Sequence, residues 1–360
     1  MRSPPTLAAA LLATALVTAV AVGPVPASAQ APSPPPIDPQ AAAIRVAERV
    51  LLPGYDDLAG ATAAQEDAWR TFCAGATPRD AATLDDAFDI AADAYARIEP
   101  VRYGPVAEDF RYERLAFWPE RRDAAGRALA QLEGLPDESL LAPERFPDTS
   151  VAGQGFTAME RLLYEEDTRA ALVEGGAREA RLCTIGIAIA HALAETSGEI
   201  ADAWRDEALP ALVADAQEGR RAATRLATDL LSGLEAIETL KLGLPLGESL
   251  DDARASRAEM WRSGRSARQI ALNLAGLEAT ARALVDEDAA LAPDTLRYLA
   301  QAERLAAQGP ADIGEAAADP ERRGRVLLLS AAIATARTAA AGEIPPALGI
   351  VTGFNALDGD

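Results

Sequence analysis

The stretch RLCTIGIAIAHALAETSGEIADAWRDEALPALVADAQ, residues 181–217, decides the fold class. Its apolar side chains recur every three to four positions, the repeat of one helix face, and alanine, leucine, glutamate and arginine are strong helix formers. The same pattern fills IRVAERVLLPGYDDLAGATAAQEDAWRTFCAG (44–75) and ARASRAEMWRSGRSARQIALNLAGLEATARALV (253–285). No convincing alternation of β-branched residues competes with it. The chain is expected to be all-α, and antiparallel helical bundles are the natural architecture.

Proline and glycine punctuate this pattern at Pro78, Pro100 to Pro105, Pro119, Leu135-Pro136, Gly153 to Gly155, Gly243 to Gly247, Pro293, Gly309-Pro310 and Pro345-Pro346. The segment LKLGLPLGESLDD (240–252) is the best boundary, dividing an N-terminal bundle, 38–240, from a C-terminal bundle, 241–360. Eight of the seventeen aromatic residues lie between Tyr103 and Tyr164, in the stretch most interrupted by proline and glycine. A long irregular region in a helical protein is either a functional site or a connection with aromatic plugs.

The start, MRSPPTLAAALLATALVTAVAVGPVPASAQ, has one arginine before an apolar run and small residues at Ala27-Ser28-Ala29. That order predicts a secretory signal over 1–29, followed by a Pro-rich leader, 30–37. Later in the chain, VLLLSAAIA (326–334) is too short an apolar run to cross a bilayer. The expectation is a soluble protein of the periplasm or cell envelope without a membrane span. Two cysteines in an exported chain, Cys73 and Cys183, suggest one disulfide, with two buried thiols as the alternative. A net charge of −21 repels nucleic acid and anionic lipid and favours solvation or the attraction of cations.

His191 is the only histidine, which excludes an HExxH zinc site. Glu195, Glu199 and Asp202 follow it on one helix face, so the stripe reads either as an iron site or as structural salt bridges. There is no G-x-S-x-G elbow, Walker loop or dinucleotide fingerprint. GQGFTAMERLLYEED (153–167) offers two readings. With Thr157 as N-cap and Glu160 three residues on, T-x-x-E is a capping box that requires no ligand. Alternatively Thr157, Glu160 and Tyr164, which share a face, line a site.

Gly155-Phe156-Thr157-Ala158-Met159-Glu160-Arg161-Leu162-Leu163-Tyr164 resembles the G-x-H-x-x-E motif of imelysin-like proteins. Arg114-Leu115-Ala116-Phe117-Trp118-Pro119 resembles the family's R-x-x-x-W-P segment, and the GLP linker, MWRSGRS and the ending from Leu348 to Asp360 fall in the same order. The resemblance implies an exported all-helical fold of two bundle-like halves with a pocket near the motif helix. It further implies either a metallopeptidase or a component of iron uptake, with the motif histidine and glutamate as metal ligands. Here Thr157 replaces that histidine, and a hydroxyl is a poor ligand for transition metals. Glu160 remains as the candidate metal ligand, and hard oxygen donors would favour ferric iron, calcium or magnesium over zinc. Glu160 could instead pair with Arg114, Arg121 or Arg122.

The expected function is an exported binding protein for a metal ion or small ligand, linked to uptake of iron or another metal and without catalysis. Arg114, Trp118, Arg121, Thr157, Glu160 and Tyr164 would line the pocket, and Asn355 and Asp358 would close it. The rivals are a metallopeptidase with an altered site, and a structural protein with a partner in the cell envelope.

Overall fold

A computed structural model describes residues 37–350, and every regular element among them is helical. The expected signal 1–29 and residues Asn355 and Asp358 lie outside the described residues, as does the leader except for Ile37. The chain opens with α1 (Pro39–Val46), α2 (Leu52–Ala74) and α3 (Ala82–Ile98). Short helices α4 (Arg111–Leu115) and α5 (Ala124–Glu133) lead through single turns to α6 (Gly155–Tyr164) and α7 (Glu166–Glu174). Then come α8 (Glu179–Ala203), α9 (Leu209–Ala214), α10 (Ala216–Ala236) and α11 (Gly243–Leu246). The remainder is α12 (Ser266–Leu284), α13 (Pro293–Ala307), α14 (Ile313–Ala318) and α15 (Arg323–Ala347).

Two bundles form. In one, α2 packs on α3 and α8, and α6 closes against α8 and α3. In the other, α12 packs on α10, α13 and α1, while α15 lies across α13 and α10. Contact between α3 and α12 joins the two. Residue 240 falls inside continuous helix, and α1 and α10 pack with helices that follow it in sequence. Cys73 and Cys183 form a disulfide that ties the end of α2 to α8. Closing a loop of 110 residues constrains the unfolded chain by about 4–5 kcal/mol at most.

Three prolines are absorbed rather than breaking the helix. Pro53, Pro210 and Pro245 each follow a wide π-helical turn, at 47–51, 204–208 and 237–242. Proline lacks an N–H, and its ring clashes with the carbonyl four residues earlier. Those carbonyls belong to Arg49, Asp206 and Lys241, and each lies within the widened turn, which relieves the clash. Pro345 and Pro346, expected as a break, sit instead in the last turn of α15, which ends at Ala347. α15 is the one described helix long and apolar enough to pass for a bilayer crossing; it packs against α13 and α10 with 28 % of its apolar window buried.

Candidate functional site

The motif helix begins earlier than a capping box requires. Gln154 precedes the first turn, and Thr157 lies inside α6 without capping it. The reason is Gly155, at φ +73°, where an added Cβ would stand 2.4 Å from the Arg114 carbonyl oxygen and 2.5 Å from that of Leu115. Only glycine allows the chain to enter α6 that close to the end of α4. The capping-box reading of Thr157 and Glu160 is therefore overturned. Residues 155–163 are all buried. Phe156 stacks on Tyr95 at 5.1 Å, so part of the aromatic-rich segment serves as core.

Glu160, 2 % exposed, is turned inward. Its Oε1 accepts the Ser263 N–H at 2.9 Å and lies 2.8 Å from the Ser263 hydroxyl. Burial pushes its pKa up, and the Ser263 bonds oppose that shift. Ser263 stands in the turn Met260–Arg265, which closes through the Arg265 N–H to the Met260 carbonyl and passes Gly264 at φ +68°. Arg265 anchors the turn to Asp89 at 2.8 Å and to Asp93. None of Arg114, Arg121 and Arg122 forms an ion pair or hydrogen bond with Glu160; its polar partner is Ser263.

Beside Glu160 lies a buried ionic cluster. Lys241, the only lysine in the sequence, is 5 % exposed and donates to Glu99 Oε2 and Glu259 Oε2 at 2.6 Å each. Asn273 Nδ2 donates to the same Glu99 oxygen at 3.0 Å and to the Ala96 carbonyl. The π-helical turn before Pro245 carries this lysine. Burial works against its charge, and the two carboxylates outweigh burial and raise its pKa. Burial and the Glu99 charge push Glu259 up to about 7 against the pull of Lys241.

This donor set does not suit a metal ion. The Lys241 ammonium already occupies the point where Glu99 and Glu259 converge, and Thr157 offers only a hydroxyl. Among the described residues no three histidine, cysteine or acidic side chains form a possible cage. Of the four residues in the proposed stripe, His191 and Glu199 are engaged between helices, His191 Nδ1 3.1 Å from Glu66 Oε1 and Glu199 paired with Arg111 at 3.4 Å, while Asp202 pairs with Arg205 at 2.7 Å.

Two clefts flank the cluster. One of about 130 Å³ is lined by Glu99, Arg102, Tyr112, Lys241 and Asn273. The other, about 280 Å³, is lined by Trp118, Arg121, Leu244, Arg257, Trp261 and Arg262, among others; Leu240 borders both. Of the residues expected from sequence, Trp118 and Arg121 meet in the larger cleft. Thr157 and Glu160 are buried in α6, while Tyr164 packs on Phe88 at 5.6 Å beneath the Arg169 guanidinium. Arg114 lines neither cleft. Sequence reasoning missed Glu99, Arg257, Glu259, Trp261, Arg262 and Ser263 as site residues. MWRSGRS contains three of them, and its spacing alone carried no partner.

No curated protein shows significant sequence similarity to the chain. An imelysin-like protein from Psychrobacter arcticum has a similar structure, with a TM-score of 0.72, 21 % identity, and coverage of 88 % of this chain and 97 % of that one. A protein from Parabacteroides distasonis described as an iron-regulated protein A precursor is similar at TM-score 0.64 and 15 % identity, over 86 % and 96 %. Both likenesses concern the fold. The family model of imelysin, a peptidase M75 family, matches residues 51–340, and the chain therefore belongs to the imelysin family.

Proposed function

We propose that this protein is an exported, non-catalytic binding component of the cell envelope that captures a small ligand in the cleft between Trp118 and Trp261. The observation that carries the reading is the state of Glu160. A general base must reach a substrate and a metal ligand must offer free lone pairs to its ion, whereas this carboxylate is buried and one of its oxygens already accepts two bonds from Ser263. The adjoining cleft is open, aromatic and charged, as small-molecule sites commonly are. The N-terminal pattern of residues 1–29 supports export. The description of the Parabacteroides relative as iron-regulated supports a setting in iron or other metal uptake.

Protein purified from the periplasm should be assayed for cleavage of unfolded casein, with and without chelator, beside Glu160→Gln. The expected result is no cleavage that depends on metal or on Glu160. Chelator-sensitive cleavage abolished by Glu160→Gln would make the protein a peptidase and end this reading. Stoichiometric ferric or divalent metal that is lost in Glu160→Gln would likewise show a direct metal site. Native mass spectrometry of the same preparation should reveal a bound small molecule that is absent from Trp261→Ala.

A further inference from the structure

We infer that the ligand of the Trp118–Trp261 cleft is a small organic anion with a flat apolar body, its carboxylate held between Arg121 and Arg257. The inference rests on the reading of this cleft as a capture site and adds the chemical class of what is captured.

The argument begins with which charges in the cleft are already answered. Glu120 accepts from Arg161 at 3.3 Å and from the Ala125 N–H at 2.9 Å. Arg262 donates to Glu165 at 3.0 Å, and its guanidinium lies 4.5 Å from the Trp261 ring centroid. The same Glu165 also receives Arg161 at 2.7 Å, so this edge of the cleft is a closed ionic chain. Arg121 and Arg257 stand outside it. Both are exposed, both line the cleft, and neither has an ion pair or a side-chain hydrogen bond among the described residues. The uncommitted charge of the cleft is thus positive, in a protein whose net charge is −21.

A planar guanidinium matches a carboxylate with two parallel N–H bonds, and two guanidinium groups can share one carboxylate. An ammonium or a metal ion would meet like charge there. The net charge of −21 repels large polyanions, which leaves small anions of low charge. The rest of the lining fixes the body of the ligand. Trp118 and Trp261 are joined by Pro119, Leu240, Leu244 and Ala258, so the walls are apolar and include two indoles for a flat group to pack against. Trp261 is 36 % exposed, so part of its indole is open at the cleft. The Trp118 ring is steadied from the protein side, with Lys241 Nζ 5.8 Å from its centroid. A volume of about 280 Å³ accommodates one small molecule.

The test uses the full chain and a matched pair of probes, 2-naphthoate and its neutral amide, 2-naphthamide, titrated by calorimetry and by tryptophan fluorescence. Saturable one-to-one binding of naphthoate is expected, at least tenfold tighter than that of the amide. Arg121→Ala/Arg257→Ala should lose at least tenfold for naphthoate while keeping its melting temperature, because both side chains are exposed and unpaired among the described residues. Trp261→Ala should weaken both probes. Equal affinity for the two probes, with both weakened in Trp261→Ala, would overturn the anion assignment and leave the capture reading standing. Naphthoate binding unchanged in the double arginine variant would also overturn it, as would no binding of either probe to the wild type. The cleavage and native-mass experiments above decide the capture reading separately.

Discussion

The Lys241 cluster and the cleft beside it are neighbours with opposite electrostatics. Leu240 and Trp118 stand between them, one bordering both cavities and the other lining the cleft beneath the ammonium. In the cluster every charge is answered within the protein: the ammonium by two carboxylates, and Glu99 again by Asn273. In the cleft Arg121 and Arg257 have no ion pair among the described residues. Satisfied charges at depth hold a fold in one arrangement, whereas unsatisfied charges at a rim remain available to something from outside.

The largest effect that could break this contrast is the loss of the ammonium. Lys241→Met retains bulk but strands Glu99 and Glu259, and breaking a buried pair in this way costs about 3–5 kcal/mol. Chemical denaturation should show that loss, and a change below about 1 kcal/mol would mean that the cluster is not the fixed element described here. Next comes pH. Glu259 has a folded pKa near 7 against an ordinary value of 4.5. A raised carboxylate binds more protons folded than unfolded between those values. Its contribution is complete below about 4.5 and is lost as pH rises through about 7. The buried Glu160 is shifted in the same direction. The melting temperature should therefore fall as pH rises across this window, and Glu259→Gln should flatten much of the fall. A wild-type melting temperature that rises across the window would reverse the assignment. The smallest effect belongs to the rim: Arg121→Ala and Arg257→Ala should each change stability by less than about 0.5 kcal/mol in a melt, and a larger loss would show that they have partners within the fold.

The helical fold was legible because periodicity and residue propensity agree over long windows, as in residues 181–217. The disulfide was legible because there are only two cysteines to pair. The site was legible only in part. Trp118 and Arg121 are close in sequence and reach the same cleft, but the other wall comes from residues 256–262. Glu160 finds its partner 103 residues away at Ser263, and Glu99 finds Lys241 at a separation of 142. No local spacing encodes such pairs. The T-x-x-E misreading has a local cause: the positive φ of Gly155 starts the helix two residues before Thr157, and the carbonyls that demand a glycine belong to Arg114 and Leu115.

The seclusion of Lys241 has a practical corollary. The sequence contains no other lysine, and this one is almost wholly covered. Reagents that acylate side-chain amines therefore have no accessible lysine target on the folded molecule. Acylation at residue 241 becomes a clock for opening events: its rate measures how often the region between the two clefts comes apart, with no engineered label and no competing background from surface lysines.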